Sequence, residues 1–135
     1  MPELTWRVHL ASSPEAVYEL LTTDEGRAQF WAESAVERDG AIEFEFPNGM
    51  RHRATVLVDE APHRFVLDYF GSATSFELEA DRDGGTELKL SGAGDAEVLA
   101  GWVSVLLALK ASADYGVDLR NHDARRTWSQ RYCDN

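Results

Sequence analysis

The sequence predicts an α+β fold, in which a curved antiparallel β-sheet packs one face against a long C-terminal helix. Three observations predict it. From about Ala35 to Ser91, apolar residues recur at every second position in short runs parted by hairpin-type turns. After Gly94 the period turns helical and stays so to Tyr115. The length of 135 residues and the 44% hydrophobic fraction suit one core and leave most of the chain no reason for disorder. Consecutive strands followed by a late helix place that helix on one sheet face rather than in alternating βαβ units.

The elements follow in order. Leu4, Trp6, Val8 and Leu10 alternate with Thr5, Arg7 and His9, the pattern of a half-buried strand. Ser13 suits an N-cap, Pro14 the first helical position, and Glu15 the positive helix end. Val17, Leu20 and Leu21 form the inward stripe of this helix. A second short helix follows, capped by Thr23 or Asp24, with Phe30 and Trp31 anchoring its exit. Ile42, Phe44 and Phe46 then turn inward while Glu43 and Glu45 turn out. Pro47, Asn48 and Gly49 make a turn. The strand "RHRATVLV" is expected to point His52, Ala54, Val56 and Val58 inward, and "DEAPHR" ends it. "FVLDYF" is a strand stopped by Gly71, and Phe76 and Leu78 face inward on the next. "DRDGGT" is a hairpin turn into "ELKLS". Asp95 caps a helix over Ala96–Tyr115, and Gly116 stops it.

One domain is expected over residues 1–135, with 117–135 as a tail packing back on it. A disordered tail would not usually carry Trp128 and Tyr132. These rings are expected to dock on the domain or on a second copy, as a homodimer through the tail. His122, Asp123 and Arg126 then form a polar network at a pocket mouth, or the tail is simply an arm over an apolar patch.

The formal net charge of −11 is local: the residues before Lys110 carry −12 and those from Lys110 onward +1. An acidic body repels phosphate, which disfavours nucleic acid and anionic membrane surfaces as partners. Cys133 is the single cysteine, so no intrachain disulfide forms, which fits a cytoplasmic protein. The opening "MPELTWRVHL" lacks a basic region before an apolar one, so no signal peptide is expected. No uninterrupted apolar run reaches the length of a membrane span. The histidines at 9, 52, 63 and 122 are widely separated, no Cys-x-x-Cys occurs, and "GAG" at 92–94 is too short for a phosphate loop. Neither a metal nor a cofactor is expected.

The segments "SPEAVYELLTTDEGRAQFW", "EAPHRFVLDYF", "GGTELKLSGAG" and "GWVSVLLALKA" together resemble the SRPBCC superfamily of START-like, helix-grip proteins. Within it the chain resembles the branch of the activator of heat-shock protein 90 ATPase. The resemblance runs from about residue 5 to 115, in the right order. It implies a curved antiparallel sheet gripping the C-terminal helix, with space for a ligand between them. The superfamily hosts carriers, cyclases, hydrolases and co-chaperone domains, so fold does not fix activity. The activator itself has an additional N-terminal domain that binds the chaperone. This chain has no room for one, so chaperone activation is not expected to follow from the branch.

The candidate site residues face that space. Phe44, Phe46, Phe65, Leu67, Tyr69, Phe76 and Trp102 are either plain core or an apolar ligand pocket with Tyr69 as its polar handle. Lys110 shares the helical stripe of Leu99, Trp102, Leu106 and Ala113. It either reaches an acidic ligand group in the cavity, or snorkels at the sheet edge, or pairs with a sheet carboxylate such as Asp68. His52 and Asp68, on adjacent strands, are the candidate general base and its orienting group. The leading expectation is a small binding protein for a partly apolar, hydrophobic small molecule. The alternatives are a cyclase- or hydrolase-like enzyme on the same scaffold, and a chaperone-regulating contact module.

Overall fold

The structure, a computed structural model, describes residues 3–135. Met1 and Pro2, which open the segment read for a leader, lie outside it. The chain runs β1 (Glu3–Leu10), α1 (Pro14–Thr22), α2 (Asp24–Phe30), β2 (Ser34–Arg38), β3 (Ala41–Glu45), β4 (Arg51–Glu60), β5 (Arg64–Tyr69), β6 (Ser72–Ala80), β7 (Thr86–Ala93) and α3 (Ala96–Tyr115). The strands form one antiparallel sheet in the order β1-β7-β6-β5-β4-β3-β2. Helices α1 and α2 carry the chain from one sheet edge to the other, and hairpins then return it strand by strand to β1. This is the α+β helix-grip architecture.

Local signals set most boundaries. The Ser13 hydroxyl accepts from the Ala16 amide at 3.2 Å, and Thr23 accepts from Gly26 at 3.0 Å, opening α1 and α2. Asp95 accepts from Val98 at 3.0 Å and opens α3. Gly116, at φ 64°, closes α3 in the left-handed conformation that favours glycine.

The sheet has one apolar inner face. Leu10, Ile42, Phe44, Ala54, Phe65, Leu67, Phe76, Leu78, Leu88 and Leu90 are all buried there. Register aligns them: Phe65 lies opposite Phe76, which lies opposite Leu90. The expected phase of β4 holds for His52, Ala54 and Val56 and then breaks. A bulge between Val56 and Val58 leaves Leu57 half-exposed and reverses the alternation. Val58 therefore pairs with Val66 on the outer face, and Asp59 sits opposite inward-facing Phe65. The Tyr18 hydroxyl meets Asp59 there, donating to its carboxylate.

By length and hydropathy alone α3 is long and apolar enough to cross a membrane. Here it is a core helix, with Trp102, Leu106 and Leu109 buried against the sheet and α2.

Candidate functional site

The space between sheet and α3 is occupied. Its centre is the Trp31 indole, delivered by the last turn of α2. Trp31 packs at ring-centroid distances of 4.9 Å on Phe44, 5.6 Å on Phe76, and 5.8 Å on both Tyr69 and Trp102. Its Nε1–H donates to the Tyr69 hydroxyl at 3.3 Å. Burial pushes the Tyr69 phenol well above its ordinary value, so it stays neutral. Phe44, Phe65, Leu67, Phe76, Trp102 and Leu106 are buried core residues, and Phe46 and Tyr69 pack against them. The ligand space expected between the sheet and the helix is thus filled by aromatic rings. The reason is one residue: Trp31 enters from the helical side, where the strand pattern carries no record of it.

His52 and Asp68 do not form the expected pair. His52 lies on the inner face, whereas Asp68 sits on the outer face, opposite Thr55 and next to buried Leu67. The His52 ring stacks on Phe70 at 3.8 Å, and its Nε2 accepts the Phe70 amide N–H at 3.0 Å. Burial holds this imidazole below its ordinary value despite the charge of Asp68. His52 thereby fixes the β5–β6 turn, where Phe70 has a φ of 51°.

Lys110 lies at the flank of the α3 stripe, and Leu109 takes the fully buried place beside it. Its ammonium donates to the His9 carbonyl and lies 3.3 Å from Asp114 Oδ2. Asp114 also accepts from the Ala11 amide at 2.9 Å and the Ser12 amide at 3.0 Å. Lys110 and Asp114 therefore fasten α3 to the end of β1.

A pocket of ≈ 480 Å³ lies on the opposite side of α3. Its floor is Phe30 and Trp31. One wall is the outer stripe of α3, with Ala100, Val103, Ser104 and Leu107. The other wall is the C-terminal tail, with Leu119, Arg120, Trp128 and Cys133. Trp128 lies over Gly101, where an added Cβ would be 4.0 Å from the ring, and its Nε1–H donates to Glu97 at 3.1 Å.

The tail is pinned at its base. Arg120 is buried and donates to the Ala32 carbonyl at 2.7 Å and the Ala28 carbonyl at 2.6 Å. Its guanidinium also forks onto both oxygens of Asp118 at 3.0 Å. Burial works to raise the Asp118 carboxyl, but the hydrogen bonds from Arg120 and His122 hold it well below the usual range. Asp123 and Arg126 pair with each other and not with His122, so the expected three-residue network does not form. His122 instead bridges Asp118 and Glu33. Tyr132 stays partly exposed.

Among the described residues, one grouping has metal-ligand side chains: His9, Asp81 and Glu87. Register places His9 opposite Glu87. The His9 hydrogen bond at 2.6 Å, with the Gly85 and Asp83 amides, holds the Asp81 carboxyl below its ordinary value. These contacts account for Asp81 as the organiser of the β6–β7 turn.

The model of the Activator of Hsp90 ATPase homolog 1-like protein family matches residues 11–112. The chain belongs to this family. Activator of Hsp90 ATPase homolog 1-like membership makes the fold a helix-grip scaffold of the ligand-binding or regulatory kind. Solved structures agree on the fold. An Aha1 dimer from Colwellia psychrerythraea superposes with a TM-score of 0.76 at 22% identity, over 86% of this chain and 98% of that one. SSP2350 from Staphylococcus saprophyticus gives 0.77 at 19%, over 88% and 96%. An AHSA1-like protein from Aeromonas hydrophila gives 0.70 at 17%, over 81% and 90%. No curated protein matches the chain.

The family match ends before the tail begins, so the outer wall of the pocket lies beyond the matched span. Sequence reasoning missed Trp31 as the plug, Arg120 as the anchor, and the outer stripe of α3 as a wall. One signal was present. Nine of the ten residues in "GWVSVLLALK" are apolar, small or hydroxyl-bearing, and a helix apolar all round is covered on both sides.

Proposed function

We propose that this chain is a cytoplasmic binding protein for a partly apolar small molecule held between α3 and the C-terminal tail. The ≈ 480 Å³ pocket carries the reading: its size is that of small-molecule sites, and Val103, Leu107, Leu119 and Phe30 give it apolar walls. The Ser104 hydroxyl is a polar group for orienting the guest. The reading requires no cofactor and no bond-making residue. Cys133, free and without a disulfide partner, supports a reducing compartment.

The test is binding of N-phenyl-1-naphthylamine, an apolar fluorescent probe, together with native mass spectrometry for co-purified molecules. Val103→Glu is expected to weaken probe binding at least about tenfold, because it places a charge against an apolar guest. Lys110→Met is expected to leave affinity unchanged, because its ammonium serves the β1 end of α3. The opposite pattern returns the site to the sheet side of the helix and ends this reading.

A second reading, a protein-contact module, is favoured by the filled space beneath α3 and by Val117 and Leu119, which stay half-exposed on the tail. A second copy is the partner it assigns, in line with the dimer described for the Colwellia relative. Light scattering across a dilution series checks it, and a monomer at every concentration removes it.

A further inference from the structure

His122 Nε2 lies 2.7 Å from Asp118 Oδ2, and its Nδ1 lies 3.0 Å from Glu33 Oε1. An ionised carboxylate only accepts, and a neutral imidazole has one N–H to give. The imidazolium alone satisfies both contacts, because the neutral ring turns a lone pair towards one carboxylate. The backbone of His122 is held at φ 54°, a region that side-chain-bearing residues rarely adopt.

The residue stands at the root of a closed loop. The Asn121 amide donates to the Asp134 carbonyl at 2.6 Å, and the Asn135 side chain donates to Asn121 Oδ1 at 3.1 Å. Residues 121–135 therefore return to their own starting point. This loop presents Trp128, Cys133 and Asp134 to the pocket. Outside its root, Trp128 is tied to Glu97 and Ser129 accepts from Asn48 at 3.2 Å, both at exposed sites. Arg120, just before the loop, is buried and bound to α2 carbonyls, so it is a fixed post beside a lighter closure.

We propose that residues 121–135 are a lid over the α3 pocket, held shut by the His122 clasp and released when that imidazole loses its proton. The inference rests on the pocket reading above and adds its regulation. The charged groups facing His122 are Asp118 and Arg120 from the tail and Glu33 from the α2–β2 connection. The Asp118 hydrogen bond raises the His122 value most; burial opposes it, Glu33 adds to it, and Arg120 opposes. The net direction is upward, so the clasp is complete below the ordinary imidazole value and is lost as pH rises through the raised one.

The experiment follows amide hydrogen exchange of the full chain, corrected for intrinsic rates, from about pH 6 to about pH 9. Protection at Asn121 and Tyr132 is expected to fall about fivefold over that range while α3 amides hold, the scale of one partly exposed charged pair. His122→Gln is expected to show the low value at every pH. Glu33→Gln is the decisive variant. Its amide donates to the neutral ring, so the lid stays protected at high pH. A pH-dependent loss in Glu33→Gln equal to that of wild type overturns the clasp. Release of bound N-phenyl-1-naphthylamine is measured over the same range and is expected to quicken about fivefold in wild type alone. If the probe binds and its release ignores pH, the loop is not a gate. If the probe does not bind at all, the pocket reading fails and the lid with it, while exchange still reports on the clasp.

Discussion

Two buried arginines grip the same short stretch of chain. Arg27 donates to the Leu21 carbonyl at 3.2 Å, the Ala35 carbonyl at 3.0 Å and Asp24 at 2.6 Å. Arg120 holds Ala28 and Ala32 from the other side. Between them stand Phe30 and Trp31, the core plug and the pocket floor. Arg27→Met leaves buried carbonyls without donors and is expected to cost about 3 kcal/mol in urea unfolding. A loss below about 1 kcal/mol shows that water replaces those bonds. Asp114 gives the pH counterpart. Burial works to raise its carboxyl, yet the hydrogen bonds from Ala11, Ser12 and Lys110 hold it below the usual range. A depressed carboxyl stabilises the fold above its unfolded value, and the contribution fades as pH falls through the folded one. Asp114→Ala is expected to cost about 2 kcal/mol at neutral pH. That gap should close in acid melts below about pH 4. The caps at Ser13, Thr23 and Asp95 were legible because a cap and its amide lie three residues apart. Arg27 and Arg120 were not, since their carbonyl partners come from chain turns that no local pattern encodes.

At the level of elements, two glycines make one substitution act in opposite directions. Gly26 is where α2 meets α1, and a Cβ there would lie 2.5 Å from the Leu20 carbonyl oxygen. Backbone on backbone cannot yield, so Gly26→Ala is expected to lower stability by about 1–2 kcal/mol despite the gain in helix propensity. Gly101 sits in α3 with Trp128 at ordinary contact distance, so Gly101→Ala is expected to raise stability by about 0.5–1 kcal/mol. Thermal melts of the two variants check both signs, and equal shifts contradict the packing described. The strand phases were readable where alternation is unbroken, as from Ile42 to Glu45. At Leu57 an extra residue slips the register, which a period-two reading cannot register in advance.

Across the whole molecule, α3 is sandwiched. One side meets the aromatic cluster on the sheet, and the other meets the tail. Val103 and Leu107 are already exposed beside the tail. Deleting residues 121–135 removes the Trp128 part of the wall next to them, so it is expected to lower the melting temperature and to promote self-association on size-exclusion chromatography. A truncated chain that melts and elutes like the intact one shows that the tail covers nothing of consequence. The acidic body matters here too: the charge of −11 opposes association, so added salt is expected to favour it.

By itself the sequence determined the α+β class, the order of the elements, the helix caps, the inner face of most strands and the likeness to the helix-grip proteins. Each depends on neighbours within a few residues, or on a repeating period that burial on one face imposes. Only the tertiary structure decided which side of α3 is solid and which is hollow. Trp31 fills one side and a folded-back tail walls the other, and both depend on contacts between segments far apart in the chain. Periodicity shows that a face is buried, but the covering segment is chosen by long-range packing.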